Sequence, residues 1–212
     1  MTDSAILVFA KTPLKGQVKT RLIPLLGEQG ATDLYRKLLY RSVAMLRSND
    51  KTVKIEFWCY PDALCPDFQY VQSTLDCSLY KQVGKDLGER MSYAAKNALK
   101  RYQQVILIGV DCPGLTMNLV NLAISHLKNK YDAVLGPAED GGYVLLGLKR
   151  VVDCVFEAVP WGTEMVADVT RKCFEKNGWN WLELPVLWDV DKPEDGVRFL
   201  EDIVGTEIEG NW

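Results

Sequence analysis

The stretch Gln104-Val105-Ile106-Leu107-Ile108-Gly109-Val110-Asp111-Cys112-Pro113 joins a continuous apolar run to a carboxylate and a proline. Apolar residues that do not alternate with polar ones are typical of a strand covered on both faces, as in a parallel sheet between layers of helices. The pattern predicts a central strand over residues 104–110. Asp111 would then follow the carboxyl end of that strand, where open α/β sheets bind their ligands.

On both sides of this strand, apolar runs alternate with segments of helical periodicity. Such alternation is typical of βαβ units. We therefore expect an α/β fold, namely a single Rossmann-like domain over residues 1–212 with a mostly parallel central sheet and helices on both faces. The predicted strands are 5–10, 53–59, 79–83, 104–110, 132–135, 143–148 and 181–190. The predicted helices are 31–46, 89–99, one capped by Thr116, one capped by Thr163 and closed by Gly178, and 193–203. Residues 61–67 are predicted to be a loop.

Composition and charge exclude several classes of protein. A chain of 212 residues with 48% apolar residues can bury a core of its own. The net charge of −3 argues against a general nucleic-acid binder, which normally carries a basic surface. The first four residues lack the basic region of a signal peptide, and no apolar run approaches the roughly 18 residues of a membrane span. We expect a cytoplasmic location and no membrane span.

Cysteine and histidine usage narrows the chemistry further. The six cysteines form no CxxC pair, so neither a zinc site nor a redox motif is indicated, and we expect free, mostly buried thiols. His126 is the one histidine, which argues against a Ser-His-Asp triad. Acid–base chemistry would have to come from carboxylates or from the substrate.

The loop after the first predicted strand is strongly basic. Between Asp3 and Glu28 the chain contains four cations and no acid, and Gly16 lets a ligand approach the backbone closely. This position in an open α/β sheet favours phosphate binding over the alternative, a solvated surface loop. The candidate phosphate-binding residues of this loop are Lys11, Lys15, Gly16, Lys19 and Arg21.

Asp111 is the leading candidate for a metal ligand. Mg²⁺ and Mn²⁺ prefer hard oxygen ligands and often share them with substrate phosphates, so one or two carboxylates suffice. The alternative is that Asp111 only caps the turn before the helix that starts at Thr116.

Residues 135–143, Leu-Gly-Pro-Ala-Glu-Asp-Gly-Gly-Tyr, form the third candidate segment. Asp140 would orient a sugar hydroxyl or act as a base. Gly141 and Gly142 would let a substrate lie against the backbone. A simple Asp-Gly hairpin turn explains the same residues equally well.

Asp189 and Asp191 form a second acidic candidate. Strand alternation would place both on one face, where two carboxylates repel each other unless a cation lies near them. A further metal contact is therefore one interpretation. In the other, Asp191 is the N-cap of the last helix, with Pro193 in its first turn.

Two weaker features are Arg90 and Trp161. Arg90 lies in Gly-Lys-Asp-Leu-Gly-Glu-Arg-Met (84–91), at a predicted helix start, from which it would reach a phosphate. Trp161, beside Gly162, offers an aromatic face for a sugar or base, although tryptophan is more often a core residue.

Taken in order, these segments resemble one family, the DUF2064 or "selenodomain-associated transferase 1" proteins of the GT-A, nucleotide-diphospho-sugar transferase superfamily. The matching pieces are FAKTP (9–13), GQVKTRL (16–22), DLGERM (86–91), GVDCP (109–113), GPAEDGGY (136–143) and DVD (189–191).

The resemblance implies a GT-A-like domain that transfers a glycosyl group from a nucleotide-diphospho-sugar to a small-molecule acceptor. Asp111, with Asp189 or Asp191, would hold Mg²⁺ or Mn²⁺ on the diphosphate. The cations of the basic loop would neutralise the leaving group, and Asp140 would position the acceptor or the sugar. A homodimer is left open.

The resemblance also extends to 2-phospholactate guanylyltransferase and to molybdenum-cofactor nucleotidyltransferases. Nucleotidyl transfer from a nucleoside triphosphate to a phosphorylated acceptor is therefore the second hypothesis. The chain departs from both groups, since it has Asp111-Cys112-Pro113 in place of an Asp-x-Asp pair and lacks the GGxSxRMG loop. A non-catalytic nucleotide-binding module is the third hypothesis.

Overall fold

The computed structural model describes residues 3–50 and 52–209, with side chains up to residue 202. Met1 and Thr2, which belong to the N-terminal segment considered for a signal peptide, lie outside the described residues. So do Lys51 and residues 210–212 of the expected domain, and the side chain of Ile203, the last residue of the predicted final helix.

The described residues form a seven-stranded sheet with the order β3-β2-β1-β4-β6-β5-β7. All neighbouring strands are parallel except that β6 runs antiparallel to both β4 and β5. This confirms the predicted α/β class with a mostly parallel sheet. The strands are β1 (Ser4–Lys11), β2 (Val53–Tyr60), β3 (Ser78–Lys81), β4 (Gln104–Gly109), β5 (Ala133–Pro137), β6 (Tyr143–Leu148) and β7 (Trp181–Glu183).

Helices cover both faces of the sheet, as predicted. They are α1 (Ile23–Leu46), α2 (Pro66–Leu75), α3 (Leu87–Ala98), α4 (Met117–Asn129), α5 (Val166–Lys176) and α6 (Pro193–Glu209). Ile6 and Val8 of β1 pack with α1, α2 and α4, whereas Ala5 and Leu7 pack with α3 and α5. No helix among the described residues has both the length and the apolar character that crossing a membrane requires.

Local signals placed most elements but missed some bounds. Thr116 caps α4 as predicted, since its hydroxyl accepts the Leu119 N–H. Thr163 instead lies in the turn before α5, where its hydroxyl accepts the Met165 N–H. Gly178, with φ of +62°, follows the end of α5 as expected.

The helix α2 was not predicted, because only a few of its residues are apolar and it begins inside the stretch predicted to be a loop. The strand predicted over 181–190 was wrong beyond β7. Leu184 still donates to the Leu135 carbonyl, but Pro185 has no N–H to continue the ladder. One isolated bridge then joins Leu187 to Ala138.

The cysteine prediction was wrong for one pair. Cys154 and Cys173 form a disulfide that joins the short turn Asp153–Val155 to α5. Their separation of 19 residues carries no local signal, so the pairing depends on the tertiary packing of that turn on the helix. The other four cysteines are free thiols, and three of them are buried.

A thiol titration tests this pairing. After denaturation without reductant we expect four reactive thiols, and after reduction six. Replacing both Cys154 and Cys173 with serine should lower the free energy of unfolding by about 2 to 3 kcal/mol, because the crosslink restricts the unfolded chain. Dithiothreitol should destabilise the parent protein by a similar amount and leave the double variant unchanged. Six thiols without reductant would contradict the pairing.

Candidate active site

A cavity of about 520 Å³ lies where β1 and β4 end, within the size range of small-molecule sites. It is lined by segments that are far apart in the sequence, from the loop after β1, the start of α3, the loop after β4, the turn between β5 and β6, and residues 161–163 and 189–191. The structure therefore brings together most of the candidates. Those lining the cavity are Lys11, Lys19, Arg21, Arg90, Asp111, Asp140, Gly142, Trp161, Asp189 and Asp191.

Three candidates do not line the cavity. Lys15 lies at the surface with its ammonium 3.8 Å from Glu28, and Gly16, with φ of +74°, forms the turn beside it. Gly141 packs against the chain before α5, where a β-carbon on Gly141 would lie 2.2 Å from the Glu164 carbonyl oxygen. The two glycines therefore shape turns, without offering a cavity surface.

Lys19 is the most constrained of the basic residues. Its backbone is left-handed, with φ of +48° and ψ of +43°, which costs a non-glycine residue on the order of 1 kcal/mol or more. Its side chain is only 7% exposed, and its Nζ lies 2.7 Å from Asp111 Oδ1. Asp111 Oδ1 is shielded from solvent. It forms an ion pair with Lys19, although the geometry of this contact is not that of a hydrogen bond.

Val190 links the acidic C-terminal segment to the same pair. Its backbone N–H donates to the Asp111 carbonyl at 2.9 Å, and its own carbonyl accepts from Lys19 Nζ. The buried Val190 thus fixes the segment at the end of β4, which explains how Asp189 and Asp191 reach the cavity although the segment is not a strand.

Asp191 does not act as the side-chain cap considered for α6. Its carboxylate pairs with the guanidinium of Arg21. The carboxylate of Asp195, in the first turn of the helix, instead accepts the backbone N–H groups of Asp191 at 3.1 Å and of Lys192 at 2.7 Å. Pro193 begins the helix, as expected.

Asp140 lies in a hairpin turn and also lines the cavity. Its Oδ1 accepts the Gly142 N–H at 2.8 Å, and the Ala138 N–H donates to the Gly142 carbonyl, so the segment is the turn of the β5–β6 hairpin. The residue also lines the cavity. The turn therefore presents a carboxylate to the site.

Asp189 shows how the acids of the cavity affect one another. Burial, followed by the charges of Asp140 and Asp111, raises the pKa of Asp189 to about 6. Lys19 acts in the opposite direction, but more weakly than these two acids. Asp189 therefore lies in a locally acidic part of the cavity, a condition that a cation bound beside it relieves.

The donor set fits a divalent metal that shares its ligands with a substrate. Carboxylate oxygens suit Mg²⁺ or Mn²⁺, and four aspartates line one cavity. In the part of the chain that the structure describes, no three acidic, histidine or cysteine side chains form a complete metal cage. One or two aspartates with phosphate oxygens would complete such a site.

Two cations of the cavity have no acidic partner among the described residues. The Lys11 backbone N–H donates to the Tyr35 hydroxyl at 2.7 Å, and its side chain is exposed. The guanidinium of Arg90 lies 3.8 Å from the centre of the Tyr60 ring, and its Nε donates to the Gly84 carbonyl at 3.1 Å. These cations are available to an anionic ligand.

Some residues that position these groups are not indicated by the sequence pattern. Tyr35 lies within the predicted helix 31–46, and its hydroxyl accepts the Lys11 N–H and so holds the end of β1. Gly88 was part of a family motif without a stated role. A β-carbon there would lie 2.5 Å from Trp161 Nε1, so Gly88 permits the close packing of Trp161 on α3. Neither role has a signal in the local pattern.

Comparison with known proteins places the chain in a family. Residues 45–163 match the model of the family described as "Uncharacterized protein conserved in bacteria (DUF2064)". The chain is also 34% identical to a solved "putative nucleotide-diphospho-sugar transferase" from Desulfovibrio desulfuricans G20, with a TM-score of 0.81 over 91% of this chain and 84% of that one. No curated protein matches by sequence.

More distant structures share the fold. A nucleotidyl transferase from Methanothermobacter thermautotroptrophicus has a TM-score of 0.61 at 11% identity, covering 97% of this chain and all of that one (100%). Another is the glucosyl-3-phosphoglycerate synthase of Mycobacterium tuberculosis, solved with Mn²⁺, UDP and glucosyl-3-phosphoglycerate. It has a TM-score of 0.55 at 9% identity, covering 92% of this chain and 75% of that one. The same architecture thus serves both glycosyl and nucleotidyl transfer.

Two tyrosine hydroxyls provide a matched test of the packing around the site. Tyr35→Phe should destabilise the protein by about 1 kcal/mol, because the Lys11 N–H loses its buried acceptor. Tyr143→Phe should be neutral or slightly stabilising, because that hydroxyl is shielded from solvent and has no partner among the described residues. Urea denaturation of both variants measures the difference. Equal losses of stability would contradict this account.

Asp189→Asn should stabilise the protein at neutral pH. With a folded-state pKa of about 6, above the value of 3.8 for an ordinary aspartate, the contribution of Asp189 to stability is fully present below about pH 3.8 and is lost as pH rises through 6. In EDTA at pH 7.5 the free energy of unfolding of the variant should exceed that of the parent protein by on the order of 1 kcal/mol, a value reduced because the Asp189 side chain is partly exposed. The gain should vanish near pH 4. A stability difference between the variant and the parent protein that does not change with pH would refute the raised pKa of Asp189.

Proposed function

The chain belongs to the DUF2064 family, and we propose that it is a metal-dependent glycosyltransferase whose donor is a nucleotide-diphospho-sugar. The observation that carries the proposal is the composition of the cavity. Lys11 and Arg90, which have no acidic partner among the described residues, share one cavity with Asp111, Asp140 and Asp189. A diphosphate linked to a sugar and accompanied by a metal matches this combination of charges.

The cationic residues would bind the diphosphate and stabilise it as the leaving group. When the bond between the anomeric carbon and the phosphate oxygen breaks, negative charge develops on the nucleoside diphosphate. Lys11 and Arg90 are available to meet that charge. Lys19 and Arg21 are held by carboxylates, so they would add positive potential at fixed positions.

The acidic residues would divide into two roles. Asp111, with Asp189 or Asp191, would hold Mg²⁺ or Mn²⁺, which supplies Lewis-acid stabilisation of the diphosphate. Asp140 lies in the hairpin turn and would orient a hydroxyl of the sugar or acceptor, or accept its proton. The hydrogen bond from Gly142 fixes one oxygen of that carboxylate, so the other stays available to a substrate.

Nucleotidyl transfer would require the site to bind a triphosphate. The four cations between Asp3 and Glu28 would suit a triphosphate if they were free to bind it. Lys15 pairs with Glu28 outside the cavity, Lys19 pairs with Asp111, and Arg21 pairs with Asp191. Among the described residues, Lys11 and Arg90 are the cavity cations without an acidic partner, and two such cations suit a diphosphate with a metal better than a triphosphate.

A ligand panel with matched variants tests the proposal. Thermal shift would be measured with nucleoside triphosphates and with UDP-, GDP- and ADP-sugars, with and without Mn²⁺ or Mg²⁺, since bound ligand raises the melting temperature. We expect a metal-dependent response to a nucleotide sugar. Asp111→Asn should weaken the metal-dependent affinity by about tenfold or more. Asp153→Asn, at an exposed position outside the cavity lining, is the control and should leave the affinity unchanged.

The other hypotheses give different results in the same panel. A response to triphosphates alone, followed by release of pyrophosphate with a phosphorylated acceptor, would replace glycosyl transfer with nucleotidyl transfer. Tight nucleotide binding that needs no metal and survives Asp111→Asn would indicate a non-catalytic module.

A further inference from the structure

The cavity is asymmetric in charge. Among the described residues, four cations line it: Lys11 at the end of β1, Lys19 and Arg21 in the loop after β1, and Arg90 at the start of α3. The lining contributed by residues 138–144 and 161–166, which we call the cation-free wall, contains one carboxylate, Asp140, and no lysine or arginine. This wall therefore supplies no cationic partner of its own to an anionic group.

Trp161 is the larger of the two aromatic residues of this wall, the other being Tyr143, and its position is fixed by close packing. The absence of a side chain at Gly88 lets the indole nitrogen approach α3. The ring of Tyr143 meets the indole edge to face, with 6.2 Å between the centroids. The hydroxyl of Thr163 donates to the Pro160 carbonyl at 2.8 Å, which tightens the turn that follows Trp161. An aromatic ring held in this way is preorganised for a ligand.

The two turns that form the wall are also locked to each other. The Ala167 N–H donates to the Gly141 carbonyl at 2.9 Å, and Gly141 meets the backbone of Glu164 too closely for any side chain. Asp140 and Trp161 therefore have fixed relative positions. One supplies a hydrogen-bond acceptor and the other an apolar aromatic surface.

We propose that the cation-free wall binds an uncharged sugar ring and disfavours a phosphorylated one. The ring would stack on Trp161, and one of its hydroxyls would donate to the carboxylate of Asp140. A phosphate placed here would meet a carboxylate without a compensating cation. The inference rests on the proposed function, and it specifies that the ring at this wall, whether it comes from the donor or the acceptor, carries no phosphate.

Variants of Trp161 test the stacking. Calorimetric titrations with Mn²⁺ would compare UDP with UDP-glucose and GDP with GDP-mannose. If the wall holds the donor sugar, Trp161→Ala weakens binding of the nucleotide sugar by about three- to tenfold and leaves the nucleoside diphosphate unchanged. Trp161→Phe retains most of the affinity. Trp181→Ala, at a similarly half-buried tryptophan outside the cavity lining, is the control and changes neither.

A second measurement covers the acceptor as the source of the ring. Saturation-transfer NMR with methyl glucoside and with glucose 6-phosphate, each in the presence and absence of UDP, compares a neutral with a phosphorylated ring. If the wall holds the acceptor, the affinity for methyl glucoside exceeds that for glucose 6-phosphate by at least about tenfold. Asp140→Asn reduces this difference in affinity, and Trp161→Ala weakens the binding of methyl glucoside.

Three results would overturn the inference. The first is tighter binding of the phosphate ester than of methyl glucoside. The second is an equal loss of affinity for UDP and for UDP-glucose in Trp161→Ala, and the third is no effect of that variant on the affinity for any sugar. A parent protein that binds no nucleotide would instead refute the proposed function, and the measurement with methyl glucoside would still decide whether the wall binds a neutral sugar.

Discussion

The site depends on the contacts that the ammonium group of Lys19 makes. It reaches the carboxylate of Asp111 and the carbonyl of Val190, so one side chain joins the loop after β1, the end of β4 and the segment before α6. The left-handed backbone of Lys19 is the conformational cost of this reach. Backbone strain of this kind persists where the surrounding structure holds it, which is the case for a side chain as buried as this one.

This arrangement separates charges by function. The cations that are bound to carboxylates shape the cavity, while Lys11 and Arg90 remain for a ligand. On the other side of β4, the antiparallel strand β6 begins with a hairpin turn that contributes Asp140 and no cation. The sheet thus places a basic region and an acidic region beside each other, a distribution that net charge alone does not reveal.

Local patterns predicted most of the sheet because a buried strand is apolar over its whole length, as β4 shows. They also placed Asp111 correctly at the end of that strand. They failed where the deciding contact is distant: the carboxylate that holds Lys19, the Tyr35 hydroxyl that holds β1, and the partner of Cys154 belong to other parts of the chain. The polar helix α2 was missed because its short apolar face resembles a loop in composition.

The bond between Cys154 and Cys173 makes the backbone from 154 to 173 a closed covalent ring. Trp161 and the turn that meets Gly141 both belong to this ring. A single cut of the polypeptide inside the ring would therefore not divide the molecule, since the two pieces would stay joined through sulfur. The part of the cavity wall formed by residues 161–166 therefore stays covalently joined to the rest of the chain on both sides even if the main chain is cut there.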